Sequence, residues 1–191
     1  MEVAQVLLRH GADTEARDKS GWSSLERASD RGCVEFACVL MAYGADVKAQ
    51  DGENFTPLHL ALGEEVARLL LKQGADANAV KICGQTPLHH LSSLGRVGET
   101  RVLLEHGVDA NARDANNATP LHLAVYRPSF NDDGHPDVVQ LMLKCSADVH
   151  ARDDDGRTPF MRATERGHRD IMQLLLEHGA EDHRSVGRDS D

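Results

Sequence analysis

The chain has 191 residues, of which 40% are apolar and 27% charged, so it is long enough for one compact domain or one repeat array and too apolar for a disordered polymer. A formal net charge of -10 with Lys and Arg scattered singly excludes a nucleic-acid backbone as partner, and no apolar run approaches the ~20 residues that span a bilayer. Only 4% of residues are aromatic, so the core must be built from Leu, Val and Ala, which suits thin, tightly stacked helices.

In chain order, the first element is an apolar helical stretch from Val3 to Leu8, with none of the basic and apolar regions of a signal peptide before it. It runs into a phrase, Leu-Leu-Arg-His-Gly-Ala-Asp at 7–13, that returns at 70–76, 103–109 and 175–181, and in weaker form at 40–46 and 142–148. The glycine ends each helix, because the position after a helix takes a left-handed conformation that glycine adopts without strain. Ser146 stands at that place in the 142–148 copy.

A turn follows each such helix, as at Asp18 to Gly21 and Asp153 to Gly156. Next comes a helix start: Ser23-Ser24-Leu25-Glu26, then Thr56-Pro57-Leu58-His59, Thr86-Pro87-Leu88-His89, Thr119-Pro120-Leu121-His122 and Thr158-Pro159-Phe160-Met161. The hydroxyl caps free backbone N–H groups and proline fits the first helical position. The spacing predicts a short helix A after each start, running on through Leu60 and Ala61 in the second of these. A Gly-His turn follows, as at 134–135 and 167–168, and then helix B, as in Val138 to Leu143 with apolar residues at i, i+3 and i+4. Successive Ser/Thr starts lie 33, 30, 33 and 39 residues apart, a 33-residue period with one deletion near Gly63 to Glu65 and one insertion between Tyr126 and Gly134.

These phrases, in the order D-x-x-G-x-T-P-L-H-L-A, G-H, L-L-L-x-x-G-A-D-x-N-A, resemble those of the ankyrin repeat family over almost the whole chain. The resemblance implies an all-α solenoid of stacked antiparallel helix pairs with β-hairpin-like finger loops, whose fingers and inner helices form a concave binding face. The array is expected at 1–182, with a half repeat at 1–17 and repeats at 18–50, 51–80, 81–113, 114–152 and 153–182, and a polar, disordered tail at 183–191. The opening inside helix B reads either as a piece of a longer array or as a half-repeat cap. The resemblance also makes Thr56, His59, Thr86, His89, Thr119, His122 and Thr158 structural, the histidines bonding within and between neighbouring repeats. Asn78 and Asn111 occupy a position that some ankyrin proteins carry hydroxylated.

The variable finger positions carry the information about binding. Just before each helix start stand Trp22, Phe55, Gln85, Ala118 and Arg157, and the finger tip of the fourth unit, counting the half repeat as the first, adds Ile82 and Cys83. Trp22, Phe55 and Ile82 are expected to form an apolar stripe for a partner, the alternative being that each packs on its neighbouring finger. Arg157, and Tyr126 and Arg127 at the end of a helix A, complete the candidate partner-binding set. The insertion after Tyr126 is either a binding loop or tolerated loop drift.

Chemistry is not expected. The repeat frame accounts for eight of the 11 histidines, and His90, His150 and His183 lie far apart in it, so no metal site is predicted. Cys33, Cys38, Cys83 and Cys145 lack C-x-x-C spacing and fit a reducing, cytoplasmic setting, with the nucleus open. No nucleophile elbow, phosphate loop or paired catalytic carboxylates appear, and no cofactor is expected. Two readings remain: a monomeric adaptor or scaffold that binds another protein, neutral or basic by the acidic balance of the chain, or the targeting segment of a larger multidomain protein such as a ubiquitin-ligase component, channel or signalling enzyme.

Overall fold

In the computed structural model, which describes residues 2–125 and 134–181, the chain forms helices joined by turns, and no strand occurs among the described residues. The helices are α1 (Glu2–Arg9), α2 (Ser24–Asp30), α3 (Val34–Ala42), α4 (Glu64–Lys72), α5 (Pro87–Ser93), α6 (Val97–Glu105), α7 (Pro120–Val125), α8 (Pro136–Lys144), α9 (Pro159–Arg166) and α10 (Arg169–Glu177). They fall into two compact units. The first takes residues up to 87 together with 101–108; the second takes 88–100 and the described residues from 109 onward.

In the first unit α2 packs on α3 and α3 on α4. In the second, α7 packs on α8, α9 on α10, and like lies against like, α7 on α9 and α8 on α10. The local causes are those the sequence shows. Ser23 and Glu26 form a reciprocal capping box at the start of α2, and Thr158 Oγ1 accepts the Met161 N–H at 3.3 Å with Pro159 at the first position of α9. The core is aliphatic: Leu58, Leu70, Leu103, Leu121, Met142 and Leu175 are buried, and Phe160 is the only buried aromatic among the described residues. Each of α4, α8 and α10 buries a stripe spaced by four, Val66 and Leu70, Val138 and Met142, Ile171 and Leu175. In α1 the same stripe, Val3 and Leu7, is 73% and 56% exposed, and none of its residues is buried.

One expected element does not form. Residues 57–60 are turns rather than a helix A. His59 N–H reaches back only three residues, to Thr56 O at 3.0 Å, and the N–H of Leu62 leaves the segment altogether for Ser29 O at 2.9 Å. The three-residue deletion is the reason: Gly63, at φ +94°, leads directly into α4, so no residues remain to close a second helical turn. Gly32 makes room for this crossing, since a Cβ there would sit 2.8 Å from Leu62 O and its φ is +65°.

Ser146, by contrast, does what its glycine counterparts do, with φ +63°.

Candidate protein-binding surface

The five fingers share one construction. In each, the N–H of the leading residue donates to the carbonyl four residues later: Asp18 to Trp22, Asp51 to Phe55, Lys81 to Gln85, Asp114 to Ala118 and Asp153 to Arg157, at 3.0–3.1 Å. The fourth residue turns left-handed and is Gly21, Asn54, Gly84, Asn117 and Gly156 in turn, the residue types that tolerate positive φ. Where the leading residue is aspartate, its Oδ1 accepts finger N–H groups, for example Glu53 and Phe55 on Asp51 at 2.9 Å and Asn116 and Ala118 on Asp114 at 2.9 and 3.0 Å. The Lys81 side chain brings no acceptor to the third finger. Burial works against ionisation of Asp153, yet the Arg157 N–H and the Arg162 guanidinium hold its carboxyl below the usual carboxylate range.

Neighbouring fingers are tied together. Ile82 N–H donates to Glu53 O at 3.1 Å in the first unit, and Asp154 N–H to Asn116 O at 3.0 Å in the second. Three arginines, which sequence reasoning passed over, clamp finger carbonyls. Arg17 Nη1 bonds Gly21 O at 2.6 Å and its Nη2 bonds Gln50 O at 2.8 Å. Arg113 bonds Asn117 O and Arg152 O at 2.8 and 2.7 Å, and Arg152 bonds Gly156 O at 2.7 Å. The signal was present as Ala-Arg-Asp at 16–18, 112–114 and 151–153.

Behind the fingers lie the histidine rungs. His122 Nδ1 faces the Thr119 N–H at 3.1 Å, a group that can only donate, so Nδ1 accepts and the proton sits on Nε2, which donates to Arg157 O at 3.0 Å. His59 repeats this with Thr56 and Gln85 O, at 3.2 Å each, and His89 Nε2 bonds Ala118 O at 3.1 Å. Thr86 is buried at the corresponding helix start. Burial pushes the His122 imidazole below the ordinary histidine value. Asn111 is also used between repeats: its Oδ1 accepts the Asp148 N–H at 2.8 Å and its Nδ2 donates to Ser146 O at 3.2 Å.

The candidate binding residues divide. Trp22, Phe55 and Ile82 all belong to the first unit. Trp22 is half-buried under the Arg27 guanidinium, 4.3 Å from its ring centre, and Arg27 in turn pairs with Asp18 at 2.7 Å. Phe55 is half-buried, edge-on to His59 at 5.8 Å, with Lys81 Nζ 4.4 Å above its ring. Ile82 is 70% exposed. Arg157 belongs to the second unit and pairs with Glu165 at 3.3 Å. Tyr126 and Arg127, with the insertion that follows them, lie outside the described residues. Among the described residues no three His, Cys, Asp or Glu side chains gather to hold a metal ion, and no helix is long and apolar enough to cross a membrane.

Comparison with known proteins matches the family described as ankyrin repeats (3 copies) at residues 2–81, 63–153 and 129–189. The chain is 30% identical over 171 residues to Ankyrin repeat and SOCS box protein 3 of Bos taurus, covering 86% of this chain and 32% of the relative. The Homo sapiens protein of the same name is 28% identical over 173 residues, covering 87% and 32%. Rabankyrin-5 of Homo sapiens is 32% identical over 102 residues, covering 46% of this chain and 9% of that protein. The chain thus spans about a third of the length of the Ankyrin repeat and SOCS box relatives.

Proposed function

The chain belongs to the ankyrin repeat family, and on that premise we propose that it is a protein-interaction module, an adaptor or scaffold that binds a partner through its finger side and has no catalytic activity of its own. One observation carries this reading: Ile82 stands 70% exposed at a finger tip beside the cation-covered ring of Phe55. Exposed apolar side chains next to a half-buried aromatic are what binding hot spots are made of, and they do nothing for folding in water. The free thiols of Cys33, Cys38, Cys83 and Cys145, all exposed, support a reducing compartment.

Affinity capture from a native lysate tests the reading, with wild type set beside a Trp22→Ala/Phe55→Ala/Ile82→Ala variant whose circular dichroism shows it folded. A protein held by the wild type and lost by the variant is the expected result. The same protein held by both would move the site off these fingers, and no protein held by either would count against a self-sufficient module.

A second reading, the targeting segment of a larger multidomain protein such as a ubiquitin-ligase component, is favoured by a specific observation. The relatives that match over most of this chain are about three times as long and carry a SOCS box in their names. The full-length transcript tests it: an in-frame helix A upstream of Met1, or a further domain on either side, supports this reading.

A further inference from the structure

We propose that α1 pairs antiparallel with the α1 of a second copy of this chain, forming a weak twofold dimer through Val3, Val6 and Leu7. The inference does not depend on the finger site. These three side chains are 73%, 50% and 56% exposed. Their pattern is nevertheless that of a core helix, since Val66 and Leu70 hold the places of Val3 and Leu7 in α4 and are fully buried. Three apolar side chains side by side on one helix make a contiguous patch, which water drives toward another apolar surface.

The helix is seated on the first unit by its other side. Ala4 and Leu8 share a cleft with Phe36 and Leu40, which leaves Val3 and Val6 turned outward. The face is therefore presented on a folded support, and covering it costs little further ordering.

Charge chooses the occupant. Glu2 and Arg9 are exposed, and neither has an ion-pair partner among the described residues. They stand two turns apart on one flank of the stripe, beside Val6. An antiparallel pair centred between Gln5 and Val6 brings Glu2 of each copy beside Arg9 of the other, twice by symmetry, while the apolar side chains interlock. A parallel pair would set both charges against the uncharged flank of Ala4 and Leu8. The matching stripe of α10, Ile171 and Leu175, is buried, so stacking head to tail has no such surface to use and pairing closes at two copies. An eight-residue helix is about 12 Å long. The contact is thus smaller than a standard interface, and the dimer should have a Kd on the order of 100 µM.

Sedimentation equilibrium of the purified full chain, from about 10 µM to about 1 mM, tests this. A monomer–dimer equilibrium is expected. Val3→Ser, at a side chain mostly outside the fold, should weaken it about 10-fold with Tm unchanged. Glu2→Arg and Arg9→Glu each set like charges against each other in the pair, so each alone should weaken it about 10-fold. An equimolar mixture of those two variants should associate as the wild type does, because the opposite charges meet again; neither altered folding nor general stickiness produces that rescue. A dimer indifferent to Val3→Ser, or a mixture no tighter than its separate components, would overturn the proposal. A wild type that stays monomeric throughout would also overturn it and leave this face to another occupant, such as a preceding helix of a longer array.

Discussion

The rung at Ser23–Glu26 and the rung at Thr119–His122 occupy the same place in their repeats and satisfy the same helix start. Glu26 Oε2 accepts the Ser23 N–H at 2.5 Å just as His122 Nδ1 accepts that of Thr119. They part at the far end of the side chain. His122 has an Nε2–H to give to the Arg157 carbonyl, whereas Glu26, fully buried, has a second oxygen, Oε1, with no hydrogen-bond partner. Burial shifts the two groups in opposite directions, raising the Glu26 pKa and lowering that of His122, and in each case it favours the neutral form. The difference teaches why a histidine suits this frame: it is neutral at pH 7 while still carrying one acceptor and one donor, and a carboxylate is neither neutral nor a donor.

The largest effect expected from this comparison is at the intact rung. His122→Ala removes a buried side chain and strands the Arg157 carbonyl, and should cost about 3 kcal/mol in a urea melt; a loss below about 1 kcal/mol would mean that the rung is ornamental. Glu26→His should repair the other rung and add about 1.5 kcal/mol at pH 7 by removing an unsatisfied buried oxygen. An unchanged or lower midpoint would show that the Arg17 contact to Glu26, 3.4 Å, outweighs burial.

The next difference is one of sign. His122 has a depressed pKa when folded, so its contribution is intact above about pH 6.5, the unfolded value, and is lost as pH falls from there through the folded value. Glu26 has a raised pKa when folded, so its contribution is present below the unfolded value and is lost as pH rises through the folded value. Thermal melts across pH 4–8 should therefore flatten on the acid side for His122→Gln and on the alkaline side for Glu26→Gln. Parallel profiles for wild type and both variants would refute the pairing of these groups with opposite windows. The smallest effect concerns another degraded frame residue: Ser146, at φ +63°, does the work of glycine under strain, and Ser146→Gly should add roughly 1 kcal/mol to the melt. No rise in Tm would show the strain to be absorbed locally.

How much of this was legible in the sequence follows the reach of each interaction. Helix starts at Ser23 and Thr158, the turns at Gly21 and Gly156, the left-handed place held by Ser146, and the B helices depend on bonds that close within about four residues, and each was readable from spacing and residue type. The Arg17, Arg113 and Arg152 clamps had a visible motif but no visible target, since two of the carbonyls bonded lie 33 and 39 residues away. Of the candidate site, the apolar character of Trp22, Phe55 and Ile82 was plain. That Arg27 and Lys81 cover the first two rings and leave Ile82 bare was not, because Lys81 reaches Phe55 from the next finger and Arg27 reaches Trp22 only through its direction on α2.

By itself, then, the sequence determined the repeat, its caps and turns, and which positions the repeat frame leaves variable, all of them consequences of short-range sterics and hydrogen bonding. Only the tertiary structure decided that residues 57–60 stay a turn, that the apolar stripe of α1 is exposed while that of α10 is buried, and that a lysine rather than a carboxylate stands over Phe55. Those outcomes depend on what packs against each segment from a repeat away, and a period of 33 residues places such neighbours in order without saying which groups will meet.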